Sequence, residues 1–180
     1  PSEIRILWTF HHALADGRSY PVVIREVFEC YEALQSGREP QLPEVPSFQK
    51  FIEWLESCDF ARASNYWSDM LRDFTAPTPL GLDRTVSGND EREGYGEKSL
   101  RLSASATDAL QKFAQEQQIT LGTLLEGAWA ALLGRYSGEN DVVFGVTRAC
   151  RPADLADADS IVGLFINTLP VRVKIGADEA

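Results

Sequence analysis

The only two histidines of the chain stand side by side, and they are the first residues to suggest chemistry. His11 and His12 follow a strand-like segment and precede Asp16 and Gly17. Imidazole is the side chain best suited to proton transfer near neutral pH, because its unperturbed pKa is about 6.5. A loop at the end of a rigid strand is a common location for such groups. The segment is therefore a candidate for general acid–base chemistry.

The alternation of a strand would give the two histidines different roles, because neighbouring residues point to opposite faces. By parity, His12 continues the apolar face of the preceding segment and His11 faces away from it. Asp16 could fix the loop by pairing with a cation, and Gly17 permits a tight turn and close approach of the backbone. The residues alone leave two alternatives open. One is a pair of hydrogen-bonded structural histidines. The other is a metal site, which would need further ligands nearby.

The elements that must hold this loop can be predicted from local patterns. Apolar residues alternate over residues 4–10, which predicts a strand leading into the histidines. Ser19 is suited to cap the helix that follows, and Gly37 is suited to end it. Other helices are predicted to begin at Ser47, Asp59, Ser103 and Thr120, and other strands to cover residues 97–102, 142–146 and 169–175. Helices and strands mix without a strict βαβ rhythm, which predicts a layered α/β (α+β) sandwich.

A stretch rich in proline and glycine divides the chain. Residues 76–96 lack sustained periodicity, which is typical of a linker. We therefore expect two parts. Residues 1–75 would end an N-terminal lobe and carry residues 11–17, here called the histidine loop. Residues 97–180 would begin a C-terminal lobe. Strand-like patterns lie close to both ends of the chain, so we expect the sequence to be a piece of a longer protein.

The overall composition excludes several classes of protein. The formal net charge of −10 argues against a nucleic-acid-binding protein, which would need a basic surface to neutralise phosphates. The three cysteines lack CxxC spacing, so neither a disulfide framework nor a zinc site is expected, and a cytoplasmic location fits best. No apolar run approaches the roughly 20 residues needed to span a bilayer, so no membrane partner is expected.

Several motifs resemble those of one enzyme family. Residues 11–17 read His-His-x-x-x-Asp-Gly, which resembles the signature of the superfamily that includes chloramphenicol acetyltransferase. Residues 48–54 resemble an aromatic-rich motif of nonribosomal peptide synthetase condensation domains, and residues 162–172 closely match a later motif of the same domains. Residues 143–146 and 151–152 also fit the family pattern. The matches keep the family's order, so the chain is identified as similar to a condensation domain.

This resemblance implies a fold as well. The family has the chloramphenicol acetyltransferase-like two-lobed fold, with the site between the lobes. The motifs that precede the histidines in the family, and those that follow its Asn-Thr-Leu-Pro segment, are absent from this sequence. The resemblance therefore implies a fold truncated at both ends, and an isolated chain that is inactive.

The family pattern also implies roles for the loop residues. His12 would act on the acceptor amine, either as a general base or by orienting it. His11 and Asp16 would be structural, and Asp16 would pair with an arginine of the C-terminal lobe. Arg151 matches that arginine in its motif, and Arg148 is the alternative.

Two more residues are implied to lie beside the substrates. Gly17 would sit next to the reacting thioester, where its backbone N–H could serve as a donor. Asn167 would lie near the substrate tunnel. No metal ligand is implied by the family pattern.

The implied reaction is attack by an aminoacyl amine on an acyl or peptidyl thioester, which gives an amide. Both substrates would be carried on the phosphopantetheine arms of donor and acceptor peptidyl carrier domains, with an adenylation domain in the same synthetase. No directly bound cofactor is implied. Two alternatives stay open: a non-catalytic remnant or docking module of a synthetase, and a stand-alone acyltransferase that uses coenzyme A thioesters.

Overall fold

The computed structural model describes residues 4–80 and 96–176. These residues form helices and one small sheet of two neighbouring strands. The helices are α1 (Ser19–Gln35), α2 (Gln49–Glu56), α3 (Phe60–Met70), α4 (Ala104–Glu116) and α5 (Leu121–Ser137), and the strands are β1 (Asp141–Arg148) and β2 (Asn167–Lys174). Two 3₁₀ helices, His12–Leu14 and Ala158–Ser160, lie beside the candidate site residues. This arrangement confirms the predicted mixed α/β class.

Three helices begin with the side-chain caps that the sequence predicted. The Asp59 carboxylate accepts hydrogen bonds from two N–H groups at the start of α3, both at 3.1 Å. The hydroxyls of Ser103 and Thr120 cap α4 and α5 by accepting from backbone N–H groups three residues further on. Gly138 ends α5 with a φ of 75°, a left-handed conformation that favours glycine.

Two of the predicted strands are wrong. Neither residues 4–10 nor residues 97–102 form a strand in the part of the chain that the structure describes. Alternation of apolar and polar residues indicates which face of a segment is apolar. A strand also needs a neighbouring strand to which it can form hydrogen bonds. Ile6 and Leu100 are 79% and 88% exposed, so apolar side chains of both segments are uncovered, although Phe10 is half-buried beside Tyr20. The other two predicted strands are confirmed, since they overlap β1 and β2.

The chain forms two compact units. The first comprises Pro1–Asp69 and Gly145–Leu169, and the second comprises Met70–Phe144 and Pro170–Ala180. Consequently β1 and β2 each contribute residues to both units. The linker predicted at residues 76–96 lies largely outside the described residues, so the division into lobes of residues 1–75 and 97–180 stays a prediction.

The core of the first unit is aromatic. Phe51 of α2 packs against Phe165 with ring centroids 4.4 Å apart, and Phe48 meets Phe165 edge-on at 5.4 Å. Ile161 completes this buried cluster. A Cβ atom added at Gly163 would overlap the Phe48 ring. Only glycine can bring its backbone so close to this ring. The cluster therefore fixes the segment from Ile161 to Phe165.

The second unit has a smaller core of its own. Ala130 and Leu133 of α5 are buried against Val142 of β1. Arg172 of β2 donates to both carboxylate oxygens of Asp141, at 2.8 and 2.6 Å. The same guanidinium donates to backbone carbonyls at the end of α3. This bidentate pair therefore ties the two strands and the end of α3 together.

Candidate functional site

All six predicted site residues belong to the first unit, and Asp16 lies at the centre of their hydrogen bonds. Its side chain is 0% exposed. One carboxylate oxygen, Oδ1, accepts from the backbone N–H groups of Arg18 and Ser19 at 3.1 and 3.0 Å. The same oxygen accepts from Arg151 Nη2 at 3.1 Å, and Oδ2 accepts from the Phe165 N–H at 3.1 Å. Asp16 thus joins the histidine loop, the start of α1 and the segment before β2.

These contacts decide the ionisation of Asp16. Burial is the largest single influence and raises the pKa of this carboxyl group. The hydrogen bonds from Phe165, Ser19 and Arg151, together with the charge of Arg151, outweigh burial and bring the pKa below its ordinary value. Asp16 is therefore a carboxylate at neutral pH.

Arg151 supplies the opposite charge, and its side chain is only 3% exposed. Its Nη1 donates to the carbonyl oxygens of Ala158 and Ile161, the latter at 2.8 Å. Its guanidinium carbon lies 4.0 Å from the centre of the Phe165 ring. The residue before it, Cys150, adopts a φ of 37°, which is unusual for a residue with a side chain. Arg151 is thus the arginine that pairs with Asp16.

The two histidines have different surroundings. His11 caps the 3₁₀ helix His12–Leu14, because its Nδ1 accepts a hydrogen bond from the Ala13 N–H at 3.0 Å. A neutral His11 ring then carries its proton on Nε2. The His12 ring is exposed and makes no hydrogen bond to the residues that the structure describes. One imidazole is therefore engaged by the backbone, whereas the other is available to a substrate.

Gly17 and Asn167 both border open space. Gly17 does not adopt a left-handed backbone conformation, and a Cβ added there would meet no atom within 4 Å. Asn167 is the first residue of β2 and is exposed. Asn167 and Arg151 both line an open cavity of about 540 Å³, whose other walls include Phe51, Trp54, Leu55, Cys150 and Pro152.

The prediction that Ser19 caps α1 is wrong. Ser19 is the first residue of α1 and not its cap, because the Asp16 carboxylate accepts from its backbone N–H. Its own hydroxyl instead bonds Gly163, at 3.0 Å to the carbonyl oxygen and 3.1 Å to the nitrogen. The sequence signal for a serine at a helix start is the same in both situations, so it could not reveal this contact.

The described residues show neither a metal centre nor a membrane span. Over residues 4–80 and 96–176, no group of three or more His, Cys, Asp or Glu side chains is arranged to hold a metal ion. The same residues contain no helix long and apolar enough to cross a membrane. The polar groups that the structure brings together at the candidate site are the histidine loop, the Asp16–Arg151 pair and the backbone around them.

Known sequences provide an independent comparison. The family model described as the condensation domain matches residues 1–180. One of the linear gramicidin synthase proteins of Brevibacillus parabrevis is 46% identical over 176 residues, which cover 98% of this chain and 3% of that protein. Chondramide synthase of Chondromyces crocatus is 39% identical over 178 residues, which cover 97% of this chain and 4% of that protein. The chain thus spans a small part of the curated relatives it matches.

Solved structures agree with the sequence comparison. The first condensation domain of the CDA synthetase superposes with a TM-score of 0.70 at 24% identity, which shows the fold alone. The match covers 92% of this chain and 37% of that one. A complex of the X-domain and OxyB from teicoplanin biosynthesis matches with a TM-score of 0.69 at 28% identity, over 93% of this chain and 38% of that one. These matches confirm the predicted fold.

Proposed function

The chain belongs to the condensation-domain family, and on that premise we propose that it carries the histidine loop of a domain that forms amide bonds in nonribosomal peptide synthesis. The observation that supports this most directly is the contrast between two groups. Asp16 and Arg151 form a buried ion pair that holds the loop, while the His12 ring is exposed and uncommitted. A rigid support beneath a free imidazole suits proton transfer to or from a bound substrate.

The proposed reaction is an acyl transfer from a thioester to an amine. The amine nitrogen of the acceptor attacks the thioester carbonyl carbon, a C–N bond forms and the C–S bond breaks. The amine loses one proton and the departing thiolate gains one, so the products are an amide and a free thiol. His12 accepts a proton from the amine or orients the amine during attack, and the backbone N–H of Gly17 faces the reacting thioester.

Positioning of the two substrates supplies much of the proposed rate enhancement. Correct orientation of two reactants can be worth about 7–11 kcal/mol, whereas general base assistance typically contributes about 10²–10⁴-fold. Both substrates would be held on phosphopantetheine arms of donor and acceptor carrier domains, with an adenylation domain as a neighbour in the same synthetase. The mechanism uses no cofactor bound to this chain itself. Asn167 would border the path of one arm. A synthetase of this kind would work in the cytoplasm, as the cysteine pattern predicts.

The proposal is tested with the complete condensation domain that contains this sequence. The domain is incubated with a donor carrier protein bearing an acyl group and an acceptor carrier protein bearing an aminoacyl group, and the amide is measured by mass spectrometry. Amide formation that requires both carriers supports the proposal. Equal turnover with coenzyme A thioesters would instead favour a stand-alone acyltransferase. A folded domain without any transfer would favour a non-catalytic docking module.

The 180-residue chain by itself is proposed to be inactive. It spans 37% of the solved condensation domain to which it is similar, and apolar side chains such as Ile6 are uncovered. Exposed apolar surface of this kind favours association with another element. Turnover by the purified chain at the rate of the complete domain would contradict this view.

A further inference from the structure

Ser19 has a buried hydroxyl group to which the proposed reaction assigns no role. The whole residue is 0% exposed, although it stands at the start of a helix where serine usually faces water. Its Oγ lies 3.0 Å from Asp16 Oδ1 and 3.2 Å from Arg151 Nη2. It also lies 3.0 Å from the Gly163 carbonyl oxygen and 3.1 Å from the Gly163 nitrogen. One oxygen atom therefore touches three separate segments of the first unit.

The hydrogen-bonding capacity of this hydroxyl is completely used. A hydroxyl offers one proton and two lone pairs. The N–H groups of Gly163 and Arg151 occupy the lone pairs, and the proton is shared between Asp16 Oδ1 and the Gly163 carbonyl oxygen. Buried and fully engaged, Ser19 is a structural hydroxyl and not a nucleophile.

These bonds hold both peptide groups of Gly163, one through its N–H and the other through its carbonyl oxygen. The Asp16 N–H donates to the same Gly163 carbonyl oxygen at 3.1 Å. The end of the histidine loop and the start of α1 therefore both form hydrogen bonds to Gly163. Phe48 limits movement of Gly163 on a further side, because its ring leaves no room for even a methyl group there.

These contacts at Gly163 matter for His12 because no described residue forms a hydrogen bond to its ring. His12 stands four residues before Asp16, at the start of the 3₁₀ helix His12–Leu14. Its imidazole makes no hydrogen bond to the described residues, so its location depends on the path of the backbone. The backbone is fixed where Ala15 and Asp16 become buried, at 4% and 0% exposure.

We propose that Ser19 is a positioning residue, which sets the location of His12 by fixing the end of the histidine loop against Gly163. This inference rests on the proposed function for its catalytic consequence but not for its structural one. Loss of the hydroxyl leaves the Gly163 N–H, the Gly163 carbonyl and the charged pair each with one partner fewer. Of the bonds from the loop end and the start of α1 to Gly163, only that from the Asp16 N–H then remains, beside the bond from the Phe165 N–H to Asp16, and His12 is held less firmly.

The structural consequence can be measured without any substrate. The chain has only two histidines, so its Cε1–H NMR signals are two, and His11→Gln identifies which is which. Ser19→Ala is expected to shift and narrow the His12 signal, because the ring becomes more mobile. Ser57→Ala is the matched control, since it removes another serine hydroxyl of the first unit whose bond is local, to the Trp54 carbonyl at 2.7 Å. An unchanged His12 signal in folded Ser19→Ala would overturn the proposal.

The catalytic consequence is measured in the complete domain with loaded carrier proteins. Ser19→Ala is expected to lower kcat by about tenfold to a hundredfold, the scale of a small misplacement of a reacting group, with little change in KM for the acceptor carrier. Ser57→Ala is expected to leave both parameters unchanged. Ser19→Cys keeps the size of the side chain and a weak donor and acceptor, so its kcat is expected to lie between those of the wild type and Ser19→Ala.

The outcomes separate the two proposals. A wild-type domain that forms no amide contradicts the proposed function, whatever Ser19 does to the NMR signal. An active wild type together with an equally active, folded Ser19→Ala variant overturns the positioning role. Failure of both Ser19→Ala and Ser19→Cys to fold also overturns it, since the hydroxyl would then serve stability alone.

Discussion

Arg151 Nη2 lies 3.1 Å from Asp16 Oδ1, in a place where the two side chains are only 3% and 0% exposed. Further hydrogen bonds engage both groups, because the carboxylate accepts from backbone N–H groups and Arg151 Nη1 donates to backbone carbonyls, whereas the buried Arg151 Nε has no hydrogen-bond partner among the described residues. A buried ion pair depends on both members, since removal of one leaves an uncompensated charge.

This pair gives the first prediction. Asp16→Ala and Arg151→Ala are each expected to lower the free energy of unfolding by about 3–5 kcal/mol. The double substitution should cost less than the sum, because the second change removes a charge that has already lost its partner. Urea denaturation of the four proteins completes the cycle. Arg38→Ala, which breaks an exposed pair with Glu29, is the control and should have a much smaller effect. Additive costs at Asp16 and Arg151 would contradict the prediction.

The second prediction concerns acid. The pKa of Asp16 is lower in the folded protein than in the unfolded chain, where an aspartate titrates near about 3.9. Its ionised contacts therefore contribute fully above about pH 5, and the contribution is lost as pH falls through the lower, folded-state pKa. Asp16→Asn has no such charge. The difference in unfolding free energy between wild type and Asp16→Asn should be constant from pH 7 to 5 and shrink below about pH 4. A difference that grows on acidification would refute the assignment.

The third prediction separates the histidines. In the complete domain, His12→Ala is expected to lower the rate of amide formation by about 10²–10⁴-fold while the protein stays folded. His11→Ala should mainly lower stability, by about 1 kcal/mol, because the Ala13 N–H loses its acceptor. His11→Asn supplies another acceptor and should recover part of that loss. A fully active His12→Ala variant beside a folded but inactive His11→Ala variant would reverse the two roles.

The fourth prediction tests the strained backbone at Cys150. A φ of 37° is costly for any residue with a Cβ atom, and most costly for a β-branched one. Cys150→Gly should therefore be the most stable of three proteins and Cys150→Val the least, with Val about 1–3 kcal/mol below the wild type. Thermal unfolding ranks them directly. Gln118→Gly is a control of the same kind, because Gln118 has a φ of 56° far from the site. A more stable valine variant would show that the strain is absent.

Local chemistry was the part of the fold that the sequence could predict. The caps at Ser103 and Thr120 were correct because a capping hydroxyl acts on N–H groups only a few residues away. The strands at residues 97–102 and 4–10 were not, because strand formation depends on a neighbour that no local pattern contains.

The candidate site likewise contains residues that the sequence identified and one whose role it missed. The motifs pointed to Asp16 and Arg151, which are 135 residues apart and meet in the structure. Ser19 was missed because its important contact is tertiary, with Gly163 at a separation of 144 residues. A serine at a helix start is readily explained as a helix cap. That explanation gave no reason to look for the distant contact with Gly163. The catalytic role of His12 and the location of Gly17 and Asn167 beside the substrates stay predictions.

The contact between Gly163 and Phe48 also restricts how this sequence can evolve. Any residue larger than glycine at position 163 would collide with the aromatic ring, whereas a smaller side chain at position 48 would leave glycine in place with a cavity beside it. A larger residue at position 163 and a smaller one at position 48 could therefore be acquired in one order only. The substitution of Phe48 by a smaller residue would have to come first. In a library that varies both positions, folded members with a side chain at 163 should arise only on a background that has lost the ring at 48.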